Sequence, residues 1–104
     1  KISVGGAGAF PLSDADHNLS GGINFFTGSI TAARTGSLPA ASSDYAGIQF
    51  IVKAPSNCSN LLPVVVQPAS GERIDGVQNN QLRLESPHAA VTLVGVGATG
   101  WAII

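Results

Sequence analysis

The apolar positions of this chain come in short runs, and the runs differ in how strictly they alternate. In "QLRLE", Leu82 and Leu84 point one way and Arg83 and Glu85 the other. That is the period-two pattern of a strand with one buried and one wet face. "GIQFIVK" is less regular: Ile48, Phe50 and Val52 share a face, with Ile51 on the opposite one. "AVTLVGV" sets Val91 and Leu93 on one side and Val94 and Val96 on the other, and "LLPVVV" is more apolar still. Strands apolar on both sides need cover on both, and a small two-layer domain does not easily supply it. A neighbouring subunit is therefore the expected second cover. Pro63 has no N–H to give to a ladder, so it belongs at a strand start or an edge.

Thirteen glycines and six prolines interrupt the chain, so no helical period is sustained. The stretches between these breaks are rich in Val, Ile, Leu, Phe and Thr, which favours strands. Strands are expected over 2–4, 23–26, 29–34, 47–53, 62–67, 81–85, 90–96 and 100–104. Their spacing predicts an all-β fold, a small antiparallel β-sandwich or barrel-like module. No internal repeat of roughly 20–50 residues is visible. Residues 1–16, with "VGGAGAF" and "PLSDAD", are expected to form an irregular N-terminal arm, and residues 17–104 the β-sandwich domain. Residues 35–47 read as a loop anchored by Leu38. The candidate core or interface positions are Phe50, Val52, Leu82, Leu84, Val91, Leu93, Trp101 and Ile104.

Composition sharpens the expectation of a partner. Of 104 residues, only 11% are charged and 44% are hydrophobic, with mean hydropathy +0.29. Ordinary soluble domains carry about 25% charged residues. A chain this sparingly charged is expected to hide apolar surface against copies of itself. The basic residues Lys1, Arg34, Lys53, Arg73 and Arg83 are scattered and net charge is −1, which argues against nucleic acid. No apolar run approaches the ~20 residues of a membrane span. The sequence opens on Lys1, not Met, so residues upstream are expected to have been removed. Cys58 is the single cysteine and can form no intrachain disulfide.

The densest charge lies in "PASGERIDG", where Glu72, Arg73 and Asp75 fall between Gly71 and Gly76. Both glycines accept positive φ freely, and Asp75-Gly76 is a turn dipeptide. Ile74 would drop into the core while the three charges face water and guard an edge. No His, Cys or second acidic pair accompanies them, so a turn is favoured over a catalytic cluster. Other candidates fall short in the same way. His17 and His88 have no partners at zinc-ligand spacing and read as surface histidines. In "DADHN", Asp14, Asp16 and Asn18 match the first positions of an EF-hand loop, but Leu19 and Phe25 occupy its glycine and glutamate positions. That stretch reads as a turn, with a weak surface cation site as the lesser alternative. "GGAG" lacks the Lys-Ser or Lys-Thr of a phosphate loop, and no Ser sits in G-x-S-x-G. Asp44, Glu72, Asp75 and Glu85 offer no marked carboxylate pair. Asn18-Leu19-Ser20 and Asn57-Cys58-Ser59 match the glycosylation pattern, which matters only on a eukaryotic secretory route. Trp101 and Tyr45 could stack on a sugar, yet "GWAII" favours a packed Trp whose indole N–H finds a partner. No catalytic residue, metal or cofactor is expected.

The C-terminal portion carries a resemblance. "AGIQFIVKAPSN", then "VVVQPASGERIDG", then "LRLESPHAAVTLVGVGATGWAII" is similar to a module of tailed-phage virion proteins, including tail fibres, spikes and other surface structural proteins. The shared turn is P-x-x-G-x-x-I-x-G, here Pro68, Gly71, Ile74 and Gly76, with Asp75 inside it. A strand at Ala90–Val94 and a last strand with Trp101 and Ile104 follow, and "TGSLPAAS" resembles a segment that often precedes the module. Gly100 directly before Trp101 departs from the usual Asn or Lys. The resemblance implies a non-enzymatic, all-β module that assembles as a trimer. The expected role is structural, on the exterior of a phage particle, as capsid decoration (cement) or as a fibre or spike head. Expected partners are other copies of the chain and virion proteins such as a capsid or fibre-shaft protein. The alternative expectation is a carbohydrate- or receptor-binding domain for host attachment.

Overall fold

The computed structural model describes residues 8–104, and the strand expected at 2–4 lies outside them. Eleven short strands follow one another. They are β1 (Ala9–Leu12), β2 (His17–Asn18), β3 (Gly22–Phe26), β4 (Arg34–Ser37), β5 (Gln49–Lys53) and β6 (Val64–Gln67). Then come β7 (Arg73–Ile74), β8 (Val77–Gln78), β9 (Leu82–Leu84), β10 (Ala90–Gly95) and β11 (Gly100–Ile103). They form a seven-stranded sheet, β1-β3-β5-β10-β11-β7-β8, and a four-stranded sheet, β2-β4-β6-β9. The described chain is almost entirely β.

The chain reaches this arrangement by coiling. It steps from the long sheet to the short one and back, so β1, β3 and β5 lie parallel in one sheet. Likewise β2, β4 and β6 lie parallel in the other. Ala9 sits beside Ile23, and Ile23 beside Ile51. After β6 the direction reverses: β9 pairs antiparallel with β6, and β10 antiparallel with β5. β11 continues antiparallel to β10, and the β7–β8 hairpin joins its edge, with β7 parallel to β11. The expected antiparallel module is thus corrected to mixed sheets. Strands one full coil apart return in the same direction, and alternation along a strand carries no trace of that. The coils also differ in length, which explains why no sequence repeat is visible.

Local expectations shift in three places. Ala9–Leu12, inside the expected irregular arm, is the edge strand β1. The expected strand 29–34 is instead a turn that delivers Ile30 to the core at 2% exposure. The Asn57 side chain clamps it there: Ile30 N–H donates to Asn57 Oδ1 (3.0 Å), and Asn57 Nδ2 donates to Ile30 O (2.8 Å). The expected loop 35–47 begins as β4 and includes a short 3-10 turn, Ser43–Tyr45, capped by the Ser42 hydroxyl. Leu38, beyond β4, is buried.

The core lies between the sheets. Phe50, Val52, Ile74, Leu93 and Trp101 come from the long sheet, and Val64, Val66 and Leu84 from the short one. Leu82 and Val91 are half-buried and pack against it, whereas Ile104 is 63% exposed at the chain end. Phe50 and Trp101 meet edge-to-face at 5.0 Å, and Tyr45 closes on both at 5.8 Å. Such geometry adds to the area each ring buries. Within the long sheet one polar side chain is fully buried, Asn24 at 1% exposure. Its carboxamide accepts from Ser20 N–H (3.0 Å) and donates to Ser20 O (2.9 Å) and Ile51 O (3.1 Å). It fastens the turn before β3 to the next coil.

Candidate functional site

The charged side chains come first, because chemistry would begin there. Most are used to fasten the chain to itself. Asp14 Oδ1 accepts from Arg34 Nε (2.7 Å) and Thr31 N–H (3.1 Å), and its Oδ2 accepts from the Thr31 hydroxyl. The Arg34 bond, and next the Thr31 hydroxyl, hold the Asp14 carboxyl at about 2, below its usual 3.8. Asp16 Oδ1 accepts from Thr35 N–H. These carboxylates therefore tie the β1–β2 turn to the β3–β4 turn and the start of β4 in the next coil. Among the described residues no group of three or more His, Cys, Asp or Glu side chains converges on a metal position.

The "SGERIDG" turn is built as a two-residue hairpin, with Ile74 opposite Val77 and positive φ at Asp75 and Gly76. This is the geometry for which Asp-Gly is suited. Ile74 is wholly buried and Pro68 is buried beside the turn. Glu72 does not face water as expected. Both its carboxylate oxygens accept from Ala41 N–H (2.8 and 2.9 Å), because the loop after Leu38 folds back over it. Asp75 Oδ1 accepts from Ile103 N–H, and Arg73 donates to Gly76 O. A turn with every charge so engaged holds the end of the long sheet together.

The remaining sequence candidates separate in space. His17 is half-buried, its ring edge-on to Phe26 at 6.0 Å and its Nε2 donating to Ser13 O. His88 is exposed, at a left-handed position whose carbonyl accepts from Lys53 Nζ. Cys58 is buried and donates to Leu84 O. Trp101 is 2% exposed, so it offers no stacking platform. The partner expected for its indole N–H is not found: among the described residues Nε1 is buried without a hydrogen bond.

Two surface features remain. The first is a contrast between the outer faces of the two sheets. On the long sheet, register places Ile23, Ile51 and Thr92 in one row, Gln49, Val94 and Ala102 in another, and Phe25 beside Lys53. Ile23 is 42% exposed, and Phe25, Ile51, Val94 and Ala102 are half-buried. On the short sheet the outward rows are Asn18, Ser37 and Gln67, then Thr35, Val65 and Arg83. The outward rows of the long sheet are therefore the more apolar, although Gln49, Thr92 and Lys53 stand among them, and those of the short sheet the more polar, with Val65 among them.

The second feature is a hollow of about 240 Å³ at the end of the short sheet. Gln67, Pro68, Ser70, Asn79 and Gln81 line it. Apart from Pro68 of the shared turn, no motif drew attention to these residues, since neutral amides carry no sequence signature of a site. No protein-family model matches the chain, and no curated protein matches it.

Proposed function

We propose that the chain is a non-enzymatic structural module of a phage virion exterior, a homotrimeric fibre or spike head whose copies associate through the outer face of the long sheet. The observation that carries this reading is the apolar face bearing Ile23, Phe25, Ile51 and Val94, set against the polar face of the short sheet. Apolar contiguity of this kind marks an association surface. The broad dimensions of the molecule, 37 by 35 Å against 20 Å through, leave room on that face for a partner. A standard interface needs about 800 Å² per partner. The likeness of the "PASGERIDG" and "GATGWAII" segments to phage surface modules supplies the setting. The stacked coils favour a fibre or spike over a capsid decoration, because coiled β architectures elongate by adding coils.

Light scattering across a dilution series tests the association. A mass of three chains is expected, and Ile51→Lys should yield single chains that keep the native β spectrum. A wild-type chain that stays single at high concentration would overturn the proposal. Imaging of particles lacking this gene product distinguishes the roles: lost fibres support the fibre reading, whereas weakened shells support decoration.

A further inference from the structure

We infer that the hollow between the end of the short sheet and the Pro68–Asn79 loop binds one ring of an uncharged sugar. This rests on its lining and not on the virion reading.

The lining is polar but carries no charge. Gln67, Asn79 and Gln81 contribute carboxamides, Ser70 a hydroxyl and Pro68 a small apolar floor. An ionic ligand would lose its hydration without an opposite charge to replace it. An apolar ligand would find little apolar wall, and burial stabilises in proportion to apolar area. A sugar ring presents hydroxyls that both donate and accept, and carboxamides offer the matching pair of functions. The volume, about 240 Å³, lies just under the roughly 300–1,000 Å³ of drug-sized pockets and suits a single ring.

The lining is also held in place beforehand. Asn79 sits at φ 54°, with its N–H donating to Glu72 O (2.8 Å) and its Oδ1 accepting from Gly71 N–H (2.7 Å). Gln67 Nε2 donates to the Ser37 hydroxyl, and Gln67 Oε1 accepts from Gln81 Nε2, both at 3.2 Å. These bonds fix the side chains and still leave functions over. Among the described residues, Asn79 Nδ2, Gln81 Oε1 and the Ser70 hydroxyl take no hydrogen bond, and all three belong to residues that line the hollow. Groups that are ordered before binding lose less entropy on binding. Glu72, whose carbonyl positions Asn79, is itself clamped by Ala41, so the charged turn serves as the support of the hollow.

The test is a nuclear magnetic resonance titration of the isotope-labelled chain. The probes are D-glucose, D-galactose, N-acetyl-D-glucosamine and L-rhamnose, with D-glucuronate as the charged control. The expected result is saturable, millimolar binding of at least one neutral sugar. Shifts should be confined to Gly71, Asn79, Gln81 and the side-chain amides of Gln67, Asn79 and Gln81. Gln81→Ala lies on an exposed position and should weaken binding about fivefold or more, as loss of roughly one hydrogen bond implies. Asn79→Gly retains the left-handed backbone and should weaken it likewise. No shifts at these residues with any neutral sugar, glucuronate binding more tightly than all of them, or binding untouched by both variants would each overturn the inference. Self-association is measured separately on the same samples, so the two proposals fail independently.

Discussion

Asn24 is the most informative residue to remove. It stands in the middle of β3 with 1% exposure. Its carboxamide makes three bonds of 3.1 Å or shorter, two to Ser20 and one to Ile51. Asn24→Ala leaves the Ser20 N–H and carbonyl without that partner and opens a small void. At about 0.5–1.5 kcal/mol net per bond, the loss should be about 2–4 kcal/mol. Alanine and asparagine are both poor strand formers on a scale spanning only about 1 kcal/mol, so propensity cannot reverse the sign. Against a total stability of about 5–15 kcal/mol, this is a large change. Urea unfolding followed by Trp101 fluorescence measures it, the midpoint falling at unchanged slope. Asn24→Asp separates hydrogen bonding from charge. Burial raises the folded-state pKa of such a carboxyl, so this variant is most stable in acid. Its stability then falls as pH rises above about 4, until the buried group ionises. A loss under about 0.5 kcal/mol for Asn24→Ala, the size of an ordinary surface substitution, would refute the assignment of Asn24 as the link between coils.

Other consequences follow from single contacts. Asp14 has a depressed folded-state pKa, so its contribution to stability is present above the usual value of 3.8 and is lost as pH falls toward about 2. Urea midpoints across that acid range should fall for the wild type and stay flatter for Asp14→Asn. Gly95 is buried, and a Cβ there would overlap the Tyr45 carbonyl oxygen, so Gly95→Ala should cost about 3 kcal/mol or more in thermal or urea unfolding. Gly28 has open space around it, so Gly28→Ala is the control and should change stability by under about 0.5 kcal/mol.

Sequence pattern revealed the strands that carry strong apolar alternation and little else. β3, β5, β6, β9, β10 and β11 all fall within stretches that alternation or apolar density marks. β1, "AFPL", is apolar throughout but contains a proline and follows a glycine-rich stretch, which hid it, and β2, β7 and β8 have two residues each. Strand direction was illegible because it depends on how far the chain travels before it returns. Ile30 was misread for a related reason: an apolar residue in a turn looks like a strand residue when the amide that holds it, Asn57, lies far along the chain. The Asp75-Gly76 hairpin was legible because its chemistry is local, whereas the capture of Glu72 by Ala41 was not. The amides of the hollow gather from β6 and the segment between β8 and β9, and no spacing rule joins Gln67 to Asn79.

The scarcity of charge has a structural explanation that complements the expectation of a partner. In a coil, successive turns stack at their corners, and each corner exposes backbone N–H groups that the sheets do not satisfy. Here Asp14, Asp16, Glu72 and Asp75 each accept from a backbone N–H belonging to a different part of the chain. Lys53 donates to the distant His88 carbonyl, and Arg73 to the Gly76 carbonyl within its own hairpin. Charges spent on corners are not available to solvate broad faces, so apart from Lys53 and Arg83 these outward rows rely on neutral groups. The short sheet has Asn, Ser, Thr and Gln beside Val65, whereas the long sheet has Ile, Phe, Val and Ala beside Gln49 and Thr92. The proposed association would give the more apolar of the two faces its cover. That contrast within a single molecule is a stronger argument for self-association than low overall charge, because the short sheet serves as an internal control.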